Sequence, residues 1–160
     1  MKTEIYVGLG ANLGAPEETF GRALEAMVAF SEVRAVSRFY RSKPYGFAEQ
    51  PDFLNAAAQL ATDLAPLPLL RKLRRLEIEL GKKVVRENGP RLIDLDLLLH
   101  GDAVVDTPEL TLPHPGLPER DFVLRPLQDL APDLCHPATG QTVAEMLAAL
   151  EVSHLRATET

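Results

Sequence analysis

The chain has no tryptophan, a single cysteine and no long apolar run, and each absence narrows what it is. Cys135 alone cannot close a disulfide within the chain, and its neighbour His136 has no second thiol with which to build a zinc site. The cytosol is therefore the simplest compartment, and Cys135 reads as a structural thiol. No stretch nears the roughly 18 apolar residues that span a bilayer, and the start MKTEIYVGLGANLGAPEE, with one lysine, an early glutamate and a glycine-rich middle, is not expected to be a signal peptide. A membrane partner is not expected. Positive charge is also short: 17 lysines and arginines against 23 acids leave a net −6, the wrong sign for neutralising a nucleic-acid backbone. A small molecule is the expected partner.

What is present is an ordinary globular composition, 46% hydrophobic and 25% charged over 160 residues, which predicts one domain, 1–160. The charge is unevenly spread. Residues 71–91 hold eight bases (Arg71, Lys72, Arg74, Arg75, Lys82, Lys83, Arg86 and Arg91) against Glu77, Glu79 and Glu87, so this stretch is +5 in an acidic chain. A small anionic ligand is implied. Arg71, Lys72, Arg74 and Arg75 follow a helical pattern and read as a solvated face, whereas Lys82, Lys83, Arg86 and Arg91 lie in a loop beyond Gly81.

Alternation of Ile5, Val7 and Leu9 predicts a first strand, and Pro16 opens a helix with Phe20, Ala23, Leu24, Met27 and Val28 at core spacing. VRAVSRFYR, residues 33–41, predicts a second strand, and FLNAAAQLAT, residues 53–62, a third. Leu69, Leu73, Leu76 and Leu80 predict a second helix over 66–80, closed by Gly81. RLIDLDLLLHG is a fourth strand. The order βαββαβ is the ferredoxin-like α+β arrangement, an antiparallel sheet with helices on one face. The proline-punctuated tail, with a short strand, a helix and a final amphipathic helix in TVAEMLAALEV, is expected to cover the other face and complete αβα layers.

In the fourth strand Ile93, Leu95, Leu97 and Leu99 are expected on one face, with Asp94 and Asp96 on the other, about 6.6 Å apart along the strand. Neighbouring carboxylates repel unless a cation holds them ionised, and a pair of magnesium ions with substrate phosphates suits such a pair. Arg86 and Arg91 just upstream add positive charge, giving a phosphoryl-transfer pattern. Phe53 and Asn55 share a strand face on which a flat heterocycle could stack and be read by its edge, with Phe122 as the second aromatic face. His114 sits in a rigid PHP turn. A rival reading takes GLGANLG as the phosphate loop of an NADP-dependent reductase, although Leu13 stands where the third glycine belongs. A non-catalytic ferredoxin-like ligand-binding module is the other rival.

GANLG, FYRSKPYG, PDFLNAA, GPRLIDLDLLL and LTLPHPGLPERDFVLRPL, in this order, closely resemble the hydroxymethyl-dihydropterin pyrophosphokinase family over most of the chain. That resemblance implies pyrophosphoryl transfer from ATP to a reduced pterin in folate biosynthesis, with AMP released. It implies that Asp94 and Asp96 bind two magnesium ions, with Arg91, Arg86 and Lys82 as further catalytic residues. Ser42, Lys43, Pro44, Tyr45, Phe53, Asn55 and Phe122 would hold the pterin. Glu77, Arg91, Leu97, Leu98, Thr111, His114 and Arg120 would hold ATP. The chain is expected to act as a monomer. It differs from common members in having Phe53 for a tyrosine, Lys82 for an arginine and Asn88 where some carry tryptophan.

Overall fold

The computed structural model describes residues 2–44, 49–82 and 90–150, together with Ser153 and Leu155. Strand β1 (Thr3–Ala11) leads to helix α1 (Pro16–Met27), then β2 (Glu32–Val36), β3 (Tyr40–Ser42) and β4 (Phe53–Thr62). Helix α2 (Pro66–Glu79) returns the chain to β5 (Asp94–His100). The short hairpin β6 (Val105–Asp106) and β7 (Thr111–Leu112), helix α3 (Asp121–Leu130) and helix α4 (Val143–Ala148) complete it. The main sheet runs β2-β4-β1-β5, with β3 also on β4, and every pairing is antiparallel.

Period-two alternation gives the sheet two differently used faces. Ile5, Val7 and Leu9 of β1 meet Phe20, Ala23 and Met27 of α1 and Leu69, Leu73 and Leu76 of α2 in the larger core. Tyr6, Ala57, Leu98 and Leu99 meet Leu124 and Leu127 of α3 and Val143 and Met146 of α4 on the opposite face. The helices therefore sit on both sides, the αβα arrangement expected. Leu69 and Leu73 are fully buried, so truncating either to alanine would cost about 2–5 kcal/mol.

Four local expectations are corrected. The predicted strand 33–41 breaks in two, because Ser37 both donates its N–H to Ala57 O at 2.9 Å and accepts Ala57 N–H on its hydroxyl at 2.9 Å. That side-chain bond replaces a ladder step and shifts the chain, so Tyr40 then pairs with Asn55 and Ser42 with Phe53. Leu99 does not share a face with Leu97, since Val7 pairs with Leu97 and Tyr6 with Leu99, leaving Leu98 as an extra residue. Val28 is exposed as the C-cap of α1 rather than part of the core. The last helix begins with Thr142 as N-cap, in a reciprocal capping box with Glu145 at 3.1 Å each way, and spans only Val143–Ala148.

The two glycines at the start of the rival GLGANLG motif lie inside β1, which is antiparallel to both neighbours. A dinucleotide loop needs a parallel strand turning into a helix at that point. The motif therefore has a different use. Among the described residues no helix is long and apolar enough to cross a membrane.

Candidate active site

On β1, Gly8 and Gly10 face the same side as Tyr6, beyond the part of the sheet that α3 and α4 cover. Opposite Gly10 stand Asn55 on β4 and Asp94 on β5; opposite Gly8 stand Ala57 and Asp96. A Cβ at Gly8 would lie nearest the Leu98 side chain, at 3.5 Å, and one at Gly10 nearest Asn55 Oδ1, at 3.8 Å. These are ordinary contacts, so the protein's own packing does not demand glycine. What the missing side chains leave is the floor of an open cleft.

One bank of the cleft is built on neutral side chains, Lys43 apart. Asn55 is buried, and its amide donates to Ser42 Oγ at 2.9 Å and Tyr40 O at 3.1 Å. A carbonyl can only accept, which fixes the amide so that Oδ1 lies toward Gly10 as an acceptor. Ser42, Lys43, Phe53 and Phe122 line the same cavity. The Arg120 guanidinium lies 6.0 Å from the centre of the Phe122 ring. The expected pterin residues Ser42, Lys43, Phe53, Asn55 and Phe122 are thus brought together. Pro44 follows them without lining the cavity, and Tyr45 lies outside the described residues.

The other bank is charged. Asp94 pairs with Lys82 at 2.7 Å and with Arg91 at 3.8 Å. Asp96 lies 3.9 Å from Arg74. Between them sits Glu77, 2% exposed, which takes Arg74 at 2.8 Å, Lys82 at 3.1 Å and the Leu95 N–H at 2.8 Å. Arg74 also donates to Leu95 O at 2.8 Å. The side chains form an alternating row of Asp96, Arg74, Glu77, Lys82 and Asp94, in which α2 grips the first residues of β5. Arg74 was expected on a solvated helix face. Its i,i+3 relation to Glu77 is the one sequence signal of this second role.

Burial pushes the Asp96 carboxyl above its ordinary range; Asp94 and Glu77 add to the rise, while His114 and Arg74 oppose it. Burial likewise pushes His114 down, against the pull of Asp96. His114 Nδ1 accepts the Gly116 N–H at 3.1 Å, so the neutral ring carries its proton on Nε2. The His114 N–H donates to Leu98 O at 3.0 Å, which seats the PHP turn on β5.

Of the other expected nucleotide residues, Arg120 lines the cleft, whereas Leu97 and Leu98 are buried in the two cores. Thr111 is exposed on β7, and the Glu77 oxygens are spent inside the protein. Arg86, like Lys83 and the rest of 83–89, lies outside the described residues. Asn12 carried no expectation, yet it ties three segments. Its amide donates to Gln50 Oε1 at 2.8 Å and Pro51 O at 2.9 Å, and its Oδ1 accepts the Arg91 N–H at 2.8 Å. Only its place in a tight GANLG turn pointed to it.

Among the described residues no group of three or more acidic, histidine or cysteine side chains is placed to hold a metal. Two carboxylates without nitrogen or sulfur ligands suit a hard cation that takes its remaining ligands from water and substrate phosphates. An antiparallel ferredoxin-like sheet with such a pair in an alternating charged row, and an aromatic slot across the floor, defines an enzyme class. It is a transferase that brings phosphate groups to a flat ring compound.

Comparison with known proteins makes that class particular. Over residues 6–132 the chain matches the family described as 7,8-dihydro-6-hydroxymethylpterin-pyrophosphokinase (HPPK), and it belongs to that family. It is 47% identical over 151 residues to the 2-amino-4-hydroxy-6-hydroxymethyldihydropteridine pyrophosphokinase of Pseudomonas aeruginosa, with 93% of each chain covered. The protein of the same name from Haemophilus influenzae is 42% identical over 144 residues, with 89% of each covered. The crystal structure of wild-type Plasmodium falciparum HPPK-DHPS shares the fold, with a TM-score of 0.72 at 12% identity. That match covers 92% of this chain, which spans only 44% of the Plasmodium chain.

Proposed function

We propose that this cleft moves the pyrophosphoryl group of ATP onto the hydroxymethyl oxygen of 6-hydroxymethyl-7,8-dihydropterin, with Asp94 and Asp96 as the metal ligands. Family membership makes the chain an ATP-dependent diphosphokinase of folate biosynthesis. The residue roles are our reading of the cleft. One observation carries it: Asn55, Gly10 and Asp94 stand in one row across three strands. Two strand spacings, about 10 Å, separate the ring-reading amide from the carboxylates. A bicyclic ring with its hydroxymethyl arm covers that span.

The pterin lies over the glycine floor, between Phe53 and Phe122, with Asn55 Oδ1 accepting from its edge and Ser42 and Lys43 beside it. Lys82, Arg91 and Arg120 bring positive charge to the phosphates, and His114 brings a neutral Nε2–H donor. Arg86 is assigned to the same task. Magnesium, as two ions held through Asp94 and Asp96, would neutralise phosphate charge and keep the phosphates aligned. Glu77 and Arg74 act behind the site, positioning Lys82 and the strand that carries both aspartates.

The hydroxymethyl oxygen attacks the β-phosphorus in line. A new O–P bond forms as the bond from that phosphorus to the α,β-bridging oxygen breaks, AMP leaves with the bridging oxygen, and the hydroxyl proton passes to solvent. No protein nucleophile takes part, so positioning and charge carry the rate. We read the protein as a monomer acting on two small molecules.

The test is to incubate the protein with magnesium, ATP and the hydroxymethyl-dihydropterin and to identify the nucleotide product. AMP is expected. ADP would mean transfer of a single phosphoryl group, and no nucleotide product would return the cleft to a binding role.

A further inference from the structure

The family match ends at residue 132, but the cleft has a support beyond it. Asp121 opens α3 between Arg120 and Phe122, and it is 4% exposed. Its Oδ2 accepts the Ser153 hydroxyl at 2.8 Å and the Leu155 N–H at 3.4 Å. The same N–H lies 3.3 Å from Ser153 Oγ. Leu155 also forms an antiparallel bridge with Ser42, the residue whose hydroxyl accepts the Asn55 amide. A continuous path of bonds therefore runs from the helix end bearing Phe122, through the tail, to the Ser42–Asn55 edge across the slot.

The two ends of α3 are fastened differently. Its C-terminal half meets β3 directly, through Tyr40 Oη donating to Asp129 at 2.7 Å and Arg125 lying 5.7 Å from the Tyr40 ring centre. At the N-terminal end, where Phe122 sits, the tail supplies a tie to the same strand. A carboxylate at the first turn of a helix is well placed for such a tie, because the helix dipole favours its charge there and charged acceptors make stronger hydrogen bonds.

We propose that Asp121, Ser153 and Leu155 form a latch that sets the gap between Phe122 and the Ser42–Asn55 edge, making the C-terminal tail a positioning element for the ring substrate. This rests on reading that half of the cleft as the pterin's. The latch residues touch no reacting atom, and their effect passes through Phe122 and Ser42.

The test uses the full chain with Ser153→Ala and, separately, Leu155→Pro, which removes the N–H. In steady-state assays following AMP, the pterin KM should rise about fivefold to tenfold, the scale of one charge-assisted hydrogen bond. The ATP KM should move less than the pterin KM, because Lys82 and Arg91 stand on the other bank and, of the phosphate-facing residues named, Arg120 alone adjoins the latch. Ser153→Thr, which keeps the hydroxyl, should restore the wild-type value. Unchanged pterin KM in both variants, or equal rises in both KM values, would overturn the proposal. Hydrogen exchange on the unliganded protein judges the latch independently. Exchange should quicken at Ser42 and Phe122 and stay unchanged near Asp129; no change at Ser42 overturns the latch even if the wild-type protein fails to turn over the pterin.

Discussion

The two banks of the cleft stand one strand either side of the same two glycines, yet they are built on opposite principles. On the β4 side, Asn55 has already satisfied its donors on Ser42 and Tyr40 and offers a fixed acceptor. On the β5 side, Asp94 and Asp96 lean on Lys82, Arg91 and Arg74, cations that also suit phosphates. On the proposed reading, the neutral bank meets its ligand with its donors already paired, and the charged bank exchanges ion partners for phosphates. Shape would then be read by a fixed amide, and charge handled where the protein's own ions can be traded.

The comparison breaks most sharply at Asp96. Asp96→Asn should lower turnover by about a thousandfold or more, the scale of losing a preorganised charge contact. Pterin binding, followed by fluorescence titration, should stay within about twofold, because Asn55 and the aromatics are untouched. A large loss of pterin binding would mean that the banks are not separate. Second in size is Glu77→Ala. It takes one partner each from Lys82 and Arg74 and leaves the buried Leu95 N–H unpaired, so urea unfolding should show a loss of about 2–3 kcal/mol, reduced because Arg74 is half exposed and Lys82 keeps Asp94. Glu77→Gln, which can still accept from Leu95, should lose less. An equal loss in both variants would deny the charged row its role. Smallest is Asn55→Ala: the pterin KM should rise about tenfold to thirtyfold with the ATP KM unchanged, measured with each substrate varied in turn. A matching rise for ATP would show that the neutral bank also reads the nucleotide.

Much of this arrangement could be read from the chain. The third predicted strand, 53–62, appears with the same bounds, and the alternation that separates Asp94 and Asp96 from Leu95 holds in β5. Periodicity works there because each strand faces a packed core on one side. It fails two leucines later, because the extra Leu98 shifts the phase and turns Leu99 over, and nothing in three consecutive leucines marks which one is extra. The break at Ser37 was hidden for a related reason: a hydroxyl bonded across the sheet looks, in sequence, like any polar strand residue. Arg74 is exposed, as helix spacing predicts, but spacing does not say what stands opposite, and its contact with Asp96 on β5 is hidden from it. Asn12 and the tail latch depend on contacts made across long separations, 79 residues to Arg91 and 32 from Asp121 to Ser153, which no local pattern encodes.

The floor itself has a consequence for inhibitors. Gly8 and Gly10 present peptide planes rather than side chains to whatever lies above them. A compound that draws its contacts from those planes gives the protein little to change. Backbone atoms remain whatever residue is substituted, and on the proposed reading any added side chain would enter the space of the substrate ring. Resistance arising at this floor would exclude the substrate along with the drug.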